Sequence, residues 1–291
     1  MIQDIGPHVL NNSYKVDAVP TEDSLIIHFN TKGMILIKDS SETDGSNRKI
    51  FPRLSSFDVK PDKLTYIYSM DEDSFFLAED DDVTVPDGHT YMKVREVRAL
   101  KDASKKSIFE AFTAKQLGTW YKNNKFCGRC GALTGRSNTE RAIVCPECGN
   151  TIYPRIVPAV ITAIVKRAED PKDDMILLTK YRTGIGYYAL VAGFTEIGET
   201  FEQTVAREAM EETGLKVKNI KYYKSQPWGV VDDLLAGFFC EVDGEDTIKM
   251  DEGELSVAQW VRREDVILQP DQMSLTNEMM TIFKNGEEPR I

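Results

Sequence analysis

Histidine is scarce in this chain of 291 residues. There are three, His8, His28 and His89, and none beyond position 100. A histidine-based catalytic triad or a histidine-ligated hydrolytic zinc therefore cannot be built from the C-terminal two thirds. A general base there must be a carboxylate, a tyrosine, a lysine or a metal-activated water. Long apolar runs are also missing. The longest, Ile156 to Val165, has ten residues between Arg155 and Lys166, about half of the ~20 that a membrane-spanning helix needs. The opening Met-Ile-Gln-Asp-Ile-Gly has neither the basic start nor the apolar core of a secretory signal. A soluble, cytoplasmic protein with no membrane partner is expected. Positive charge is short: 36 Lys and Arg against 47 Asp and Glu leave a net charge of −11. That balance disfavours general binding of nucleic acid, which needs cations for its phosphates. It still admits a phosphate substrate where metal ions supply the positive charge.

Cysteine is sparse but patterned. Four of the five cysteines form two C-x-x-C pairs, Cys127/Cys130 and Cys145/Cys148, each followed by glycine. In a cytosolic chain such spacing points to a metal rather than to disulfides. Two such turns present four thiolates to one ion, the closed tetrahedral set of structural Zn²⁺. With all four positions taken by sulfur, no place remains for water, so this zinc is expected to be structural. Cys240, in the strand-like Ala236–Val242, is expected to be a small buried residue.

The densest pattern runs from Gly193 to Leu215, a glycine turn, an acidic loop, a helix and a glycine stop. The helix should begin near Thr200 and end at Gly214, placed to adopt the left-handed conformation. At about 100° per residue, Phe201, Val205, Ala206, Ala209 and Met210 form one apolar face. Glu208, Glu211 and Glu212 crowd an arc bordering it, while Arg207 points to a different sector. Carboxylates so close repel one another, and partial burial makes each charge more costly. A divalent cation such as Mg²⁺ or Mn²⁺, which takes hard oxygen ligands, would offset this.

The flanking chain reads as an α+β protein. Residues 1–100 are strand-rich, with β signals at Ser24–Phe29, Gly33–Lys38, Leu64–Ser69, Phe75–Ala78 and Tyr91–Val97. Asn30-Thr31-Lys32-Gly33 suggests a hairpin, and Asp39–Asn47 a loop. Ala103–Asn123 carries Ile108, Phe109, Phe112, Gln116 and Trp120 at helical spacing, a linking helix within 101–126. The four-cysteine zinc ribbon occupies 127–154. Residues 155–291 hold strands at Ile156–Lys166, Met175–Lys180, Tyr187–Ala192, Lys216–Ser225, Leu234–Val242 and Ala258–Val261, with a last helix over Ser274–Lys284. Strands around one motif helix, with a second helix at the end, suit a mixed sheet between helices.

Gly193, Glu199, Arg207-Glu208, an apolar residue, Glu211-Glu212, Gly214 and an apolar residue make nine constrained positions, matched by chance with odds on the order of 10⁻⁷. This pattern resembles the Nudix hydrolase signature at every position. The resemblance implies an α/β/α sandwich with a mixed sheet, box glutamates holding Mg²⁺ or Mn²⁺, and hydrolysis of a nucleoside diphosphate linked to another moiety. A zinc ribbon ahead of it, with Phe126-Cys127-Gly-x-Cys130-Gly, Tyr153-Pro154, Leu190-Val-Ala-Gly193-Phe194 and Ser225-Gln226-Pro227-Trp228, is similar to the NADH pyrophosphatase branch. That branch continues Q-P-W as P-F-P-x-S. Here Gly229-Val230-Val231-Asp232-Asp233 follows instead.

By this resemblance Glu208, Glu211, Glu212 and Glu254, with the Ala192 carbonyl, hold the catalytic cations. Glu211 is a further ligand or the base, and Arg207 orients the box. Tyr153, Phe194, Gln226, Trp228 and Arg95 are candidate substrate contacts. The implied reaction splits NAD(H) into NMN(H) and AMP. The alternatives are ADP-ribose, another dinucleoside polyphosphate or an NAD-capped RNA as substrate, or a sensor that binds NAD-type ligands without cleaving them. The branch is typically dimeric, which implies a homodimer.

Overall fold

The computed structural model describes residues 1–38, 50–100, 103–183 and 186–289. The loop expected over 39–47 lies outside the described residues. The chain divides into two units, one of residues 3–155 with 229–232, the other of 1–2, 156–228 and 233–291.

The first unit holds β1 (Leu10–Asn11), β2 (Leu25–His28), β3 (Ile35–Lys38), β4 (Leu64–Met70), β5 (Asp73–Ala78), β6 (His89–Met92), α1 (Lys105–Asn123), β7 (Gly135–Arg136), β8 (Ile143–Val144) and β9 (Thr151–Ile152). They form a sheet in the order β1-β4-β5-β2, a β3-β6 pair and the ribbon sheet β7-β8-β9. The turn at Asn30–Gly33 is present: the Asn30 side chain accepts from the Lys32 and Met34 N–H groups, both at 3.0 Å. The hairpin expected there is not. β2 runs parallel to β5 and β3 pairs with β6, leaving a single Phe29–Ile35 bridge between the two segments. Every residue of β2 is buried, as is nearly all of β3. Strands covered on both faces take partners by tertiary packing rather than by the adjoining turn. The strand expected to run to Val97 stops at Met92. A 3-10 helix over Val94–Ala99 follows and buries Val94 and Val97, which its three-residue turn puts on one side.

α1 starts at the Ser104 cap, whose hydroxyl accepts from the Ser107 N–H at 3.1 Å. Of the anticipated stripe, Ile108, Phe109, Phe112 and Trp120 are buried. Gln116 instead bonds the Arg155 and Asp232 carbonyls at 2.9 and 3.4 Å. Residues 229–232 belong to this unit, and a Cβ at Gly229 would collide with the Phe112 carbonyl. The glycine that departs from the branch pattern therefore stands where a larger residue does not fit.

The second unit is built on β10 (Val157–Lys166), followed by β11 (Met175–Tyr181), β12 (Val191–Phe194), α2 (Phe201–Thr213), β13 (Val217–Trp228), β14 (Asp233–Val242), β15 (Leu255–Arg262) and α3 (Leu275–Asn285). The sheet has six strands, β13-β14-β10-β11-β15, with β12 also on β10. β10 is parallel to β14 and antiparallel to β11 and β12. Its residues alternate between two cores. Val160 and Ile164 join Val205 and Ala209 of α2, while Ile161, Ala163 and Val165 join Leu275, Met279, Met280 and Phe283 of α3. A run apolar on both sides is what a central strand between two helical layers requires. The fold is α+β, a mixed sheet between helices.

At the α3 end, Arg167 bonds Asp174, Glu241 and Glu288 at 2.8 to 2.9 Å, and Arg263 reaches Glu288 at 2.9 Å. Asp174 and Glu288 are buried, so these guanidiniums offset charges that would otherwise be costly there.

Candidate active site and zinc centre

α2 is fixed at both ends as its sequence requires. Thr200 and Gln203 form a capping box, and Gly214 ends the helix at φ 71°, left-handed. The buried face differs from the expected one. Val205 and Ala209 are fully buried, but Met210 is 40% exposed and Ala206 faces solvent. Thr204, Glu208, Glu212 and Thr213 are buried in their place. The helix is rolled toward its acidic edge because β12 offers a gap there. A Cβ at Gly193 would overlap the Glu208 carboxylate, so only glycine lets that group approach the strand. This is the physical content of the first glycine in the motif.

Arg207 does not stand apart from the acids. Its Nε and Nη2 bond Glu199 at 2.7 and 3.0 Å, and Nη1 bonds Glu208 at 2.7 Å and Glu211 at 3.0 Å. Nη2 also donates to the Phe194 carbonyl at 2.8 Å. One guanidinium thus ties the acidic loop, the helix and β12 together. It holds Glu199 down at about 2, with help from the Glu196 N–H.

Glu212 is not reached by that guanidinium. It is 2% exposed, and burial, with the Glu208 charge beside it, pushes its carboxyl up to about 8. Burial raises Glu208 as well, against the pull of Arg207. The negative charge of Glu254 acts in the same direction on both. Glu254 is brought near by the loop that caps α2. The Lys249 and Asp251 N–H groups donate to the Thr213 and Glu212 carbonyls at 2.8 and 2.9 Å, and the Asp251 carbonyl then accepts from the Glu254 N–H at 3.3 Å. Glu211 is the open acid, its side chain 60% exposed.

Sequence reasoning missed Tyr181, the last residue of β11. Its hydroxyl lies 3.3 and 3.5 Å from the two Glu212 oxygens and 3.4 Å from the Ala192 carbonyl. Burial and the Glu212 charge raise the phenol well above its ordinary value, so it stays a donor. A tyrosine closing an apolar strand carries no local signal, since only the fold sets β11 beside α2.

The candidate substrate contacts are less uniform. Phe194, 54% exposed, ends β12, and Trp228, half-buried, ends β13. Gln226 is fully buried. Its Nε2 donates to the Met273 carbonyl at 2.8 Å and its Oε1 accepts from the Leu275 N–H at 2.7 Å. Both ends of the amide secure the start of α3 to β13, so the structure makes Gln226 a strut where a substrate contact was expected. Tyr153 and Arg95 belong to the other unit. Tyr153 is exposed and donates to Glu140 at 3.2 Å, and Arg95 is exposed on the 3-10 helix.

In the first unit the two cysteine turns are near copies. The Cys127 and Cys145 N–H groups donate to the Ala132 and Asn150 carbonyls, and the Gly131 and Gly149 N–H groups donate back to the Cys127 and Cys145 carbonyls. Gly131 and Gly149 are left-handed at φ 76° and 69°. The four Sγ atoms lie within 4.8 Å of one another, with Cys127–Cys148 at 3.7 Å and Cys130–Cys145 at 3.4 Å. A zinc tetrahedron with ~2.3 Å bonds has edges of about 3.8 Å; the set fits Zn²⁺. Among the described residues this is the one group of three or more such ligands gathered so tightly.

A helix that buries two of its own glutamates against a glycine-bearing strand gains nothing from them as packing. With a four-thiolate ribbon in the same chain, that arrangement fits a Nudix domain joined to a zinc ribbon. Residues 157–281 match the NUDIX domain and residues 122–153 the NADH pyrophosphatase zinc ribbon domain, so the chain carries both domains. It is 44% identical over 156 residues to the NAD-capped RNA hydrolase NudC of Enterobacter sp. (strain 638), covering 53% of this chain and 58% of that protein. Against the protein of the same name from Escherichia fergusonii it is 41% identical over 177 residues, 60% of this chain and 65% of that one. The chain thus spans about three fifths of the length of these curated relatives. A NUDIX hydrolase structure from Nitrosomonas europaea is 21% identical, covers 55% of this chain and 90% of that one, and has a TM-score of 0.45. No helix among the described residues is long and apolar enough to cross a membrane.

Proposed function

We propose that this chain hydrolyses the pyrophosphate bond of NAD(H), giving NMN(H) and AMP, in a reaction that depends on Mg²⁺ or Mn²⁺. The observation that carries this is the pair of buried acids, Glu208 and Glu212, of which only Glu208 is reached by Arg207. Their raised affinity for protons marks a place where positive charge is wanted. Glu208, Glu212, Glu254 and the Ala192 carbonyl are the groups that would hold the ions, with Glu211 as a further ligand. Bound there, the ions neutralise the diphosphate and acidify water. The chain's own residues do the rest. Arg207 keeps Glu208 and Glu211 on one side of the helix. A box glutamate takes the proton of the attacking water, and Glu211 is the most accessible. Water adds to one phosphorus, the bridging P–O bond breaks, and the bridge oxygen leaves on the other nucleotide. Phe194 and Trp228 offer partly exposed ring surface for a base. The protein acts in the cytoplasm as a homodimer, the state the resemblance implies.

A second reading keeps the chemistry and changes the substrate to an NAD-capped RNA, the substrate that the relatives' names give for those proteins. The test is a panel of NADH, ADP-ribose, a dinucleoside polyphosphate and an NAD-capped RNA, each with Mg²⁺ and with Mn²⁺. NADH is expected to give the highest kcat/KM, with product nucleotides resolved by chromatography. A preference for the capped RNA favours the second reading. No turnover of any of them, with an intact fold, favours a sensor. In the active case Glu212→Gln should lower turnover roughly 10²- to 10⁴-fold without changing the circular dichroism.

A further inference from the structure

Among the described residues, Tyr181 is the side chain outside the motif whose polar atom is set among the oxygens of the candidate cation site. Its hydroxyl has four acceptors within 3.5 Å: both Glu212 oxygens, the Ala192 carbonyl and the Leu190 carbonyl. A phenol has one proton to donate, so it cannot satisfy them all, and the distances are long for O–H···O bonds. The side chain is nonetheless firmly placed. Tyr181 closes β11 where the pairing with β15 slips: Lys180 faces Val257 but Tyr181 faces Leu255, leaving Ser256 as the extra residue. Such bulges turn side chains at the ends of strands. The Ser256 hydroxyl donates to the Lys180 carbonyl at 3.1 Å, and the N–H of Arg182, next along, donates to the Glu254 carbonyl at 2.9 Å. The slip thus sets Tyr181 and the backbone of Glu254 together.

We propose that Tyr181 is a positioning residue for the divalent cations. It gathers the Glu212 carboxylate and the Ala192 carbonyl around one point, so that two ligands from different elements, α2 and β12, reach an ion without rearranging. Without the hydroxyl, the Glu212 carboxylate loses the restraint of its tyrosine partner and must be ordered by the ion itself. That cost falls on cation affinity, while the attacking water and the substrate contacts are untouched. This rests on the reading that the box binds divalent ions, and the experiment separates the two.

Mn²⁺ binding to the intact protein is measured without substrate, by electron paramagnetic resonance of free Mn²⁺ and by water-proton relaxation. The wild type, Tyr181→Phe and Glu212→Gln are compared, with circular dichroism and thermal melting to confirm folding. The wild type is expected to bind, and Tyr181→Phe to bind about 10-fold more weakly. Its activity should return at high Mn²⁺ with an unchanged KM for substrate. Tyr181→Phe removes one oxygen and keeps the ring, so packing is preserved. If the wild type binds no Mn²⁺, the proposed function fails. If the wild type binds and Tyr181→Phe binds equally well, the function stands and the role of Tyr181 is refuted. A fall in kcat that excess Mn²⁺ does not restore also refutes it.

Discussion

Gly193 and Glu212 show how single residues set the chemistry. The Gly193 hydrogen occupies the space between β12 and the Glu208 carboxylate. Gly193→Ala should push Glu208 off the strand, cost about 1–3 kcal/mol by overpacking and remove most activity; urea melts and steady-state assays would read the two effects. Glu212 gives a pH signature. Its carboxyl is raised from an ordinary 4.5 to about 8 in the folded protein. The folded state therefore prefers the protonated acid, and the stabilisation is complete below about pH 4.5 and lost as pH rises toward 8. In chelator, wild-type Tm should fall across that window relative to Glu212→Gln. Added Mn²⁺ should reverse the order at pH 8, since the ionised wild-type acid binds the ion and the amide binds it poorly. Melting curves at pH 5 and pH 8, with and without Mn²⁺, check this.

At the scale of elements, α2 and the ribbon were both legible beforehand because their instructions are local. The Thr200–Gln203 capping box and the left-handed Gly214 sit where the turn chemistry puts them. Thr200→Ala should cost about 1 kcal/mol, seen as a lower urea midpoint with an unchanged slope. The two cysteine turns close on backbone bonds between residues a few positions apart. Removing the metal should open the ribbon: a strong chelator with a thiol reagent is expected to release one zinc per chain and expose β7 to β9 to proteolysis. Of the six strands among the described residues of the first hundred, β1 was not legible and β6 only in part; the other four were legible as strands, but not in their pairing. β2 and β3 are buried too completely to show alternation, and nothing in the turn between them says that one joins β5 and the other β6. The roll of α2 was hidden for a related reason. Counting apolar residues favours Met210, while the gap that accepts Glu208 belongs to another strand.

For the whole molecule, charge and assembly are the testable quantities. A net charge of −11 leaves little for phosphate backbones. An unmodified RNA should show no shift in a native gel at physiological salt, and a salt-sensitive shift would overturn that expectation. Sedimentation should give a mass twice the 32.9 kDa of one chain if the chain is a homodimer.

By itself, the sequence determined whatever neighbouring residues can enforce: two cysteine turns with their glycines, a helix capped at both ends, and an arc of glutamates three and four residues apart. Tertiary structure alone decided which acids are buried, that Arg207 reaches the Phe194 carbonyl of β12, that Gln226 supports α3, and that Tyr181 stands among the oxygens of Glu212 and Ala192. The reason is physical: helical spacing and turn geometry act over a few residues, whereas desolvation and the approach of one strand to another helix exist only once distant segments share a core.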